Sequence, residues 1–162
     1  MLMSDFIDTL DRTVENSFEL EVWDGSRLVS RTISHNGRVQ AGGIAVHAAI
    51  FGGTGISFKY FALSSASGLS PANGDTTLAS EITTLGLGRV LGSVTLASSQ
   101  GSFNGTAQTV ITATWTATGS VTIYGGGMFS AASSGTLGFE ATCTATPVAN
   151  TYTVNGTWTF NE

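Results

Sequence analysis

The sequence predicts a mainly β protein: an antiparallel β-sandwich or jelly-roll-like fold of about eight strands, with one or two short helices. Three observations support this fold class. Apolar and polar residues alternate with a period of two through most of the chain, the alternating segments are short, and clusters of Gly, Asn, Asp and Ser separate them. With 162 residues, 41% of them hydrophobic, the chain is long enough to bury one core without a metal or a disulfide.

The N-terminal region predicts a short helix followed by a β-hairpin. Residues 4–14 place Ser4 as an N-cap before apolar residues that lie near one helical face. Residues 18–22 and 27–33 alternate on either side of Asp24-Gly25, a dipeptide typical of tight hairpin turns. We therefore expect two antiparallel strands here.

The middle of the chain predicts a second short helix, a strand, a loop and one helical turn. Apolar residues recur at helical spacing over residues 38–50, which favours a short buried helix. Residues 64–76 are rich in Ser, Gly, Pro and Asn and predict a loop, and residues 78–82 predict a helical turn. The strand before the loop is predicted to place these side chains on one face: Ile56, Phe58, Tyr60 and Ala62.

The last half of the chain contains the clearest strands. One begins at Val90, a short one covers residues 121–124, and three long ones alternate between apolar residues and Thr. The predicted inward residues of those three are Ile111, Ala113, Trp115 and Ala117; Leu137, Phe139, Ala141, Cys143 and Ala145; and Tyr152, Val154, Trp158 and Phe160.

Charge is unevenly distributed, because residues 1–38 hold eleven of the seventeen charged side chains. We interpret residues 1–17 as an N-terminal arm or short helix and residues 18–162 as a single β-sandwich domain. Residues 39–162, outside this charged segment, are rich in Thr and Ser and have Lys59 as their only lysine. Hydroxyl groups are buried at an interface at a smaller desolvation cost than charges, so this composition favours a protein assembled in many copies over a Thr-rich monomer.

Composition also excludes several classes of function. Six basic residues, outnumbered by eleven acidic ones, give no electrostatic surface for direct nucleic-acid binding. The longest apolar stretch, residues 42–53, is too short and too rich in Gly to cross a membrane. The opening residues lack the basic and apolar pattern of a secretory signal, so we expect the protein to stay in the cytoplasm until it is assembled.

Residues capable of catalysis are scarce, and we predict no enzyme, no catalytic residue, no cofactor and no metal site. Beyond the charged N-terminal 38 residues, the acids are Asp75, Glu81, Glu140 and Glu162. An enzyme would need a cleft that collects at least two of the first three acids and the histidines, His35 and His47. We interpret both histidines as structural and Cys143 as a buried small hydrophobic residue.

Two further patterns predict structure rather than chemistry. Glu81 and Arg89 flank the sequence LGLG, and we expect them to form an ion pair that fixes this loop. The Gly-rich pieces at residues 86–92 and 125–127 lack the lysine of a phosphate-binding loop and predict turns or bulges.

Two other binding functions stay open on sequence grounds. A glycan-binding module could use aromatic side chains as a sugar platform, from Trp23, Trp115 or Trp158, but the last two lie on predicted inward faces. An ice-binding surface would need Thr rows at one fixed spacing, which the chain lacks.

Over residues 19–160 the order of features resembles small β-rich virion proteins of tailed bacteriophages, the head decoration (cement) or tail-fibre-like proteins. The pieces that carry the resemblance are ISHNGRVQAGG, FKYFALSS, DTTLASEI, GLGR, TATWTATGS, GGGMFSAASSGTL and YTVNGTWTF. The resemblance implies a non-enzymatic virion component that is assembled in the host cytoplasm. It also implies a homo-oligomer, with a trimer favoured, whose partners are the major capsid protein or other virion proteins. The short single-domain length favours a capsid decoration protein over a tail fibre or baseplate component.

Overall fold

The computed structural model of the protein describes residues 16–35, 37–38, 57–98 and 107–161, and these form ten β-strands. Over the described residues there is no helix, and none therefore that could span a membrane. The strands in chain order are β1 (Asn16–Asp24), β2 (Arg27–His35), β3 (Gly37–Arg38), β4 (Tyr60–Ser64), β5 (Val90–Leu91), β6 (Ser93–Ser98), β7 (Ala107–Thr116), β8 (Val121–Phe129), β9 (Leu137–Val148) and β10 (Thr153–Asn161).

The strands form two five-stranded antiparallel sheets, which confirms the predicted β-sandwich class. The first sheet has the order β2-β1-β10-β7-β6 and the second has the order β3-β9-β8-β4-β5. The predicted hairpin is also confirmed, since β1 pairs with β2 across a turn in which Gly25 has a φ of +58°. That left-handed conformation suits glycine because it has no Cβ.

The main core lies between the two sheets and is built around aromatic rings. The ring of Phe61 on β4 lies 5.7 Å from the rings of both Trp115 on β7 and Trp158 on β10. Phe18 on β1 lies 5.1 Å from Trp158. Alternation explains why these side chains meet, because residues two apart on a strand share one face of the sheet. The predicted inward positions of β7 and β10 are therefore confirmed, with Tyr152 and Phe160 half-buried at the edge of the core.

Several predicted details differ in the structure. Residues 78–82 form a turn rather than a helical turn, with Ser80 at a φ of 45° and Glu81 in a single bridge to Ser64. Tyr60 and Ala62 share one face, as predicted, and lie in a smaller second cluster, whereas Phe58 packs in the main core with Phe61 and Leu63. Ile56 lies outside the described residues.

In β9, Ala145 is exposed and Thr146 is buried instead. The register between β8 and β9 shifts between Ile123 and Gly125, and a bulge of this kind changes which residues face the core.

The predicted strand at Val90 is divided between the two sheets. β5 pairs with β4 in the second sheet and β6 pairs with β7 in the first, and Gly92 joins them. A Cβ at Gly92 would lie 2.5 Å from the Cγ2 of Ile111, so only glycine fits at this crossing. The predicted helices over residues 4–14 and 38–50 lie outside the described residues, except that Arg38 belongs to β3.

Candidate functional site

The outer face of the first sheet is coated with threonine. On β7, Thr112, Thr114 and Thr116 are exposed, because the residues between them face the core. On β10 the neighbouring positions in register are Thr157, Asn155 and Thr153. The Thr114 hydroxyl donates to Asn155 Oδ1 at 2.9 Å, so part of this row is bonded within the sheet. These six residues form an uncharged surface, which we call the threonine face: Thr112, Thr114, Thr116, Thr153, Asn155 and Thr157.

Charges on the same sheet lie beside the threonine face and are paired with one another. Arg31 on β2 binds Glu19 on β1, and its Nε atom lies 3.6 Å from Glu21 Oε1. The hydrogen bond to Glu19 raises the pKa of Arg31 above its ordinary value. Trp23 Nε1 donates to Glu21 Oε2 at 3.2 Å. These pairings limit how far the charges on β1 and β2 extend their field over the threonine face.

The outer face of the second sheet is covered by the chain itself. Residues 65–80, which we call the cover loop, are tied at their base by the backbone bond from Ser65 N to Ser80 O at 3.1 Å. Leu69 and Leu78 of this loop pack against Ala62, Phe129 and Leu137 in a second, smaller core. The two faces of the sandwich therefore differ: one is hydroxylated, and the other is covered by a loop that packs two leucines against the sheet.

Close packing of the cover loop depends on Gly125, the first of three consecutive glycines in β8. A Cβ at Gly125 would lie 2.5 Å from Leu69 Cδ2, whereas a Cβ at Gly127 would make only an ordinary contact with Leu78 Cδ1 at 3.5 Å. The prediction that residues 125–127 mark turns or bulges is confirmed in part, because they lie inside β8 rather than in a turn, but the register between β8 and β9 shifts between Ile123 and Gly125. The turn predicted in the other Gly-rich piece is confirmed at Gly86, which has a φ of +71°.

The predicted ion pair between Glu81 and Arg89 is confirmed and is largely buried. Arg89 Nε donates to Glu81 Oε1 at 2.5 Å and Nη2 donates to Oε2 at 2.7 Å. Arg89 Nη1 donates to the carbonyl of Ala131 at 3.2 Å, and Cζ lies 3.4 Å from the centroid of the Phe129 ring. Arg89 therefore fixes the chain that follows the cover loop to β8 and to the loop after it.

Two of the predicted candidate acids, Asp75 and Glu140, are brought together. Glu140 on β9 is only 2% exposed beneath the cover loop, and its side chain is hydrogen-bonded to that of Asp75 in the loop. Burial, followed by the contact with Asp75, raises the pKa of Glu140 to about 7. Sequence analysis missed this pair. The signal available was Glu140 itself, a lone acid within a strand whose residues 137–141 are apolar on both faces.

The remaining candidates are separate from one another. His35 is exposed at the end of β2, while Cys143 on β9 is half-buried against the main core, where burial raises its pKa to about 11. A thiol with this pKa is protonated at neutral pH and is a poor nucleophile. Trp115 and Trp158 are buried, as expected. His47 and Glu162 lie outside the described residues.

The described part of the chain holds no group of three or more His, Cys, Asp or Glu side chains placed to bind a metal ion. Comparisons of the chain with protein families, with curated proteins and with solved structures found no match. The threonine face is therefore the feature from which function is argued.

Proposed function

We propose that this protein is a non-enzymatic structural component of a tailed-bacteriophage virion, a capsid decoration protein that binds the outer capsid surface as a homo-oligomer. The observation that carries the proposal is the threonine face. It spans β7 and β10, which are neighbours in the first sheet, and it contains no charged residue. A surface of this kind can be covered by a protein partner without leaving a buried charge unpaired.

The pairing of charges on β1 and β2 supports the same proposal. Arg31 pairs with Glu19 and lies near Glu21 within one subunit, which leaves one carboxylate charge of this cluster uncompensated. The partner surface that fits the threonine face itself is neutral and rich in hydrogen-bonding groups. The resemblance to small β-rich virion proteins gives the partner class, the major capsid protein or other virion proteins, with assembly in the host cytoplasm.

Substitutions on the threonine face test this proposal directly. Thr112→Glu and Thr116→Glu each add one carboxylate to an exposed position of β7. We expect both variants to keep the wild-type circular dichroism spectrum and to bind purified particles at least about tenfold more weakly, which corresponds to about 1.4 kcal/mol. The measurement is co-sedimentation of purified protein with particles that lack it.

The matched control is Thr84→Glu, which makes the same change at an exposed residue outside the threonine face. It should bind like the wild type. Equal binding by all three variants would contradict the proposal that the threonine face is the contact surface. Copy number in purified particles separates the two virion locations, because decoration requires many copies, whereas a few copies at one vertex would indicate a tail fibre or baseplate component.

A second candidate function, a glycan-binding module, is favoured by one observation. Trp23 is partly exposed near the end of β1 in the first sheet, whereas Trp115 and Trp158 are buried. A half-exposed indole next to hydroxyl groups is a suitable surface for a sugar ring. A glycan array on the wild type and on Trp23→Ala tests this candidate. Sugar binding that is lost in the variant, by a protein that is monomeric in light scattering, would replace the virion proposal.

A further inference from the structure

We propose that the cover loop is a pH-sensitive cover of the second sheet, which lies on the sheet while Glu140 carries a proton that bonds it to Asp75 and lifts off when that proton is lost to solvent. The site is built from a loop that crosses a sheet face, with one carboxyl group contributed by each. What would be uncovered is an apolar strip on β8 and its neighbours: Gly125, Gly127, Ala62, Phe129 and Leu137.

The geometry around Glu140 carries this inference. Glu140 is 2% exposed, and none of the described donors hydrogen-bonds its Oε2 atom. The residue opposite it on β8 is Gly127, which offers no side chain. Asp75 is held in place by its own loop, since Ala72 N donates to Asp75 Oδ2 at 2.6 Å. Two carboxyl groups in hydrogen-bonding contact need one proton between them, because two negative charges at this distance repel strongly in a buried site.

The described elements around Glu140 contribute few charged groups. Asp75 is the only charged residue of the cover loop, and β4 and β8 contribute only tyrosines among titratable groups, Tyr60 and Tyr124. In β3, Gly37 is in register with Glu140, while Arg38 is in register with Phe139. The rest of β9 adds only the thiol of Cys143.

Arg89, in the chain that follows the cover loop, already has its own hydrogen-bonding partners. Arg89 is bound at both Nε and Nη2 by Glu81, and at Nη1 by the carbonyl of Ala131. The same contacts anchor the chain beyond residue 80. Together with the bond from Ser64 Oγ to the carbonyl of Ala79 at 2.6 Å, they limit the opening to the cover loop itself.

The direction of the pH effect follows from the pKa of Glu140, which lies at about 7 in the folded protein against an ordinary value of 4.5. A carboxyl group with a raised pKa binds its proton more tightly in the closed state than in the open one. The closed state is therefore favoured fully below about pH 4.5, and this preference is lost progressively as the pH rises to about 7.

Hydrogen exchange of the cover-loop amides tests the proposal. We expect their protection factors, corrected for intrinsic exchange, to fall about 10- to 100-fold between pH 5 and pH 8, whereas amides of β7 and β10 keep theirs. Glu140→Gln carries a neutral side chain that can donate to Asp75, so its cover loop should stay protected at pH 8. The control Glu21→Gln changes an acid of the first sheet and should keep the wild-type pH dependence.

A second variant covers the case in which Glu140→Gln does not fold. Asp75→Asn keeps an oxygen acceptor for Ala72 N and supplies an amide donor to Glu140. The change in cover-loop protection factors between pH 5 and pH 8 should therefore be at least about threefold smaller than in the wild type. Equal protection of the wild-type cover loop at pH 5 and pH 8 would overturn the proposal. Restoration of protection at pH 8 by 5 mM CaCl₂, at least roughly 500 times the dissociation constant of a calcium sensor site, would also overturn it and would indicate that a cation, rather than a proton, joins the carboxylates.

Discussion

Glycine in the middle of a strand normally weakens a sheet, yet β8 has three in succession. Gly125 and Gly126 approach different neighbours: a Cβ at Gly125 would lie 2.2 Å from the carbonyl oxygen of Ala141, and one at Gly126 would lie 3.2 Å from Cζ of Phe18. The bare backbone thus admits the cover loop on one side and an aromatic ring of the main core on the other. Glycine suits these positions because a Cβ would have too little room, and not because the backbone adopts a conformation that only glycine favours.

Gly125→Ala should therefore be costly. We expect a loss of about 2–3 kcal/mol in the free energy of unfolding, because the new methyl group meets backbone atoms and Leu69 Cδ2 at less than a contact distance. Urea denaturation monitored by tryptophan fluorescence measures the change. Gly74→Ala is the matched control, since a Cβ there has no atom within 4 Å, and its effect should stay within about 0.5 kcal/mol. Equal effects at both positions would contradict this account of β8.

At the residue scale, the sequence predicts a burial pattern well where a strand is regular. Ile111, Ala113 and Trp115 face the core as their alternation indicates. Ala145, predicted to face the core, is exposed because the register between β8 and β9 shifts. The sequence of one strand does not specify which residues of another strand it pairs with, so this shift could not be predicted.

Arg89 attaches the irregular segment between β4 and β5 to the second sheet. Its guanidinium joins Glu81, Ala131 and the ring of Phe129. The flat, forked shape of arginine allows two parallel bonds to a carboxylate while the same group stacks on an aromatic ring. Lysine carries the same charge but cannot make this set of contacts.

Arg89→Lys should accordingly destabilise the protein by about 2–3 kcal/mol in thermal or urea unfolding, since the pair is largely removed from water. The side chains of Arg89 and Glu81 are 13% and 16% exposed. Arg27→Lys is the control, because Arg27 and Asp24 form a pair with side chains 72% and 47% exposed, and we expect a change below about 0.5 kcal/mol. A comparable loss in both variants would show that the contacts around Arg89 contribute little.

At the element scale, local turn chemistry was sufficient for the β1–β2 hairpin and for the ion pair across LGLG. It was insufficient for the cover loop, which the sequence predicts as a loop but does not place on the second sheet. Leu78 is buried and Leu69 is partly buried by contacts with β4, β8 and β9, and Asp75 meets Glu140 only because the loop crosses that face. Both outcomes depend on long-range contacts rather than on local sequence.

The first sheet is completed by the last described strand of the chain. β10 lies between β1 and β7, and the register places Phe18 opposite Trp158. No local pattern predicts this pairing, because the two strands are separated by most of the sequence. The consequence for folding is that the first sheet cannot form as a continuous unit until the C-terminal strand is present.

Removal of residues 153–162 should therefore abolish cooperative unfolding. The truncated chain loses Val154 and Trp158, both fully buried, and it leaves β1 and β7 without the strand between them. We expect a broad, non-cooperative thermal transition in circular dichroism and no near-ultraviolet tryptophan signal. Removal of Glu162 alone is the control and should leave a sharp transition. A sharp transition in the longer truncation would mean that the sandwich closes without β10.

The half-buried thiol of Cys143, with its pKa at about 11, has a practical consequence. At pH 8 about one molecule in a thousand carries the reactive thiolate in the folded state, whereas in an opened chain the ionised fraction is far larger. Cys143 is the only cysteine of the chain, so no other thiol competes for a labelling reagent. Thiol labelling at pH 8 should therefore be slow in the folded protein and should accelerate under conditions that open β8 and β9, without any introduced probe.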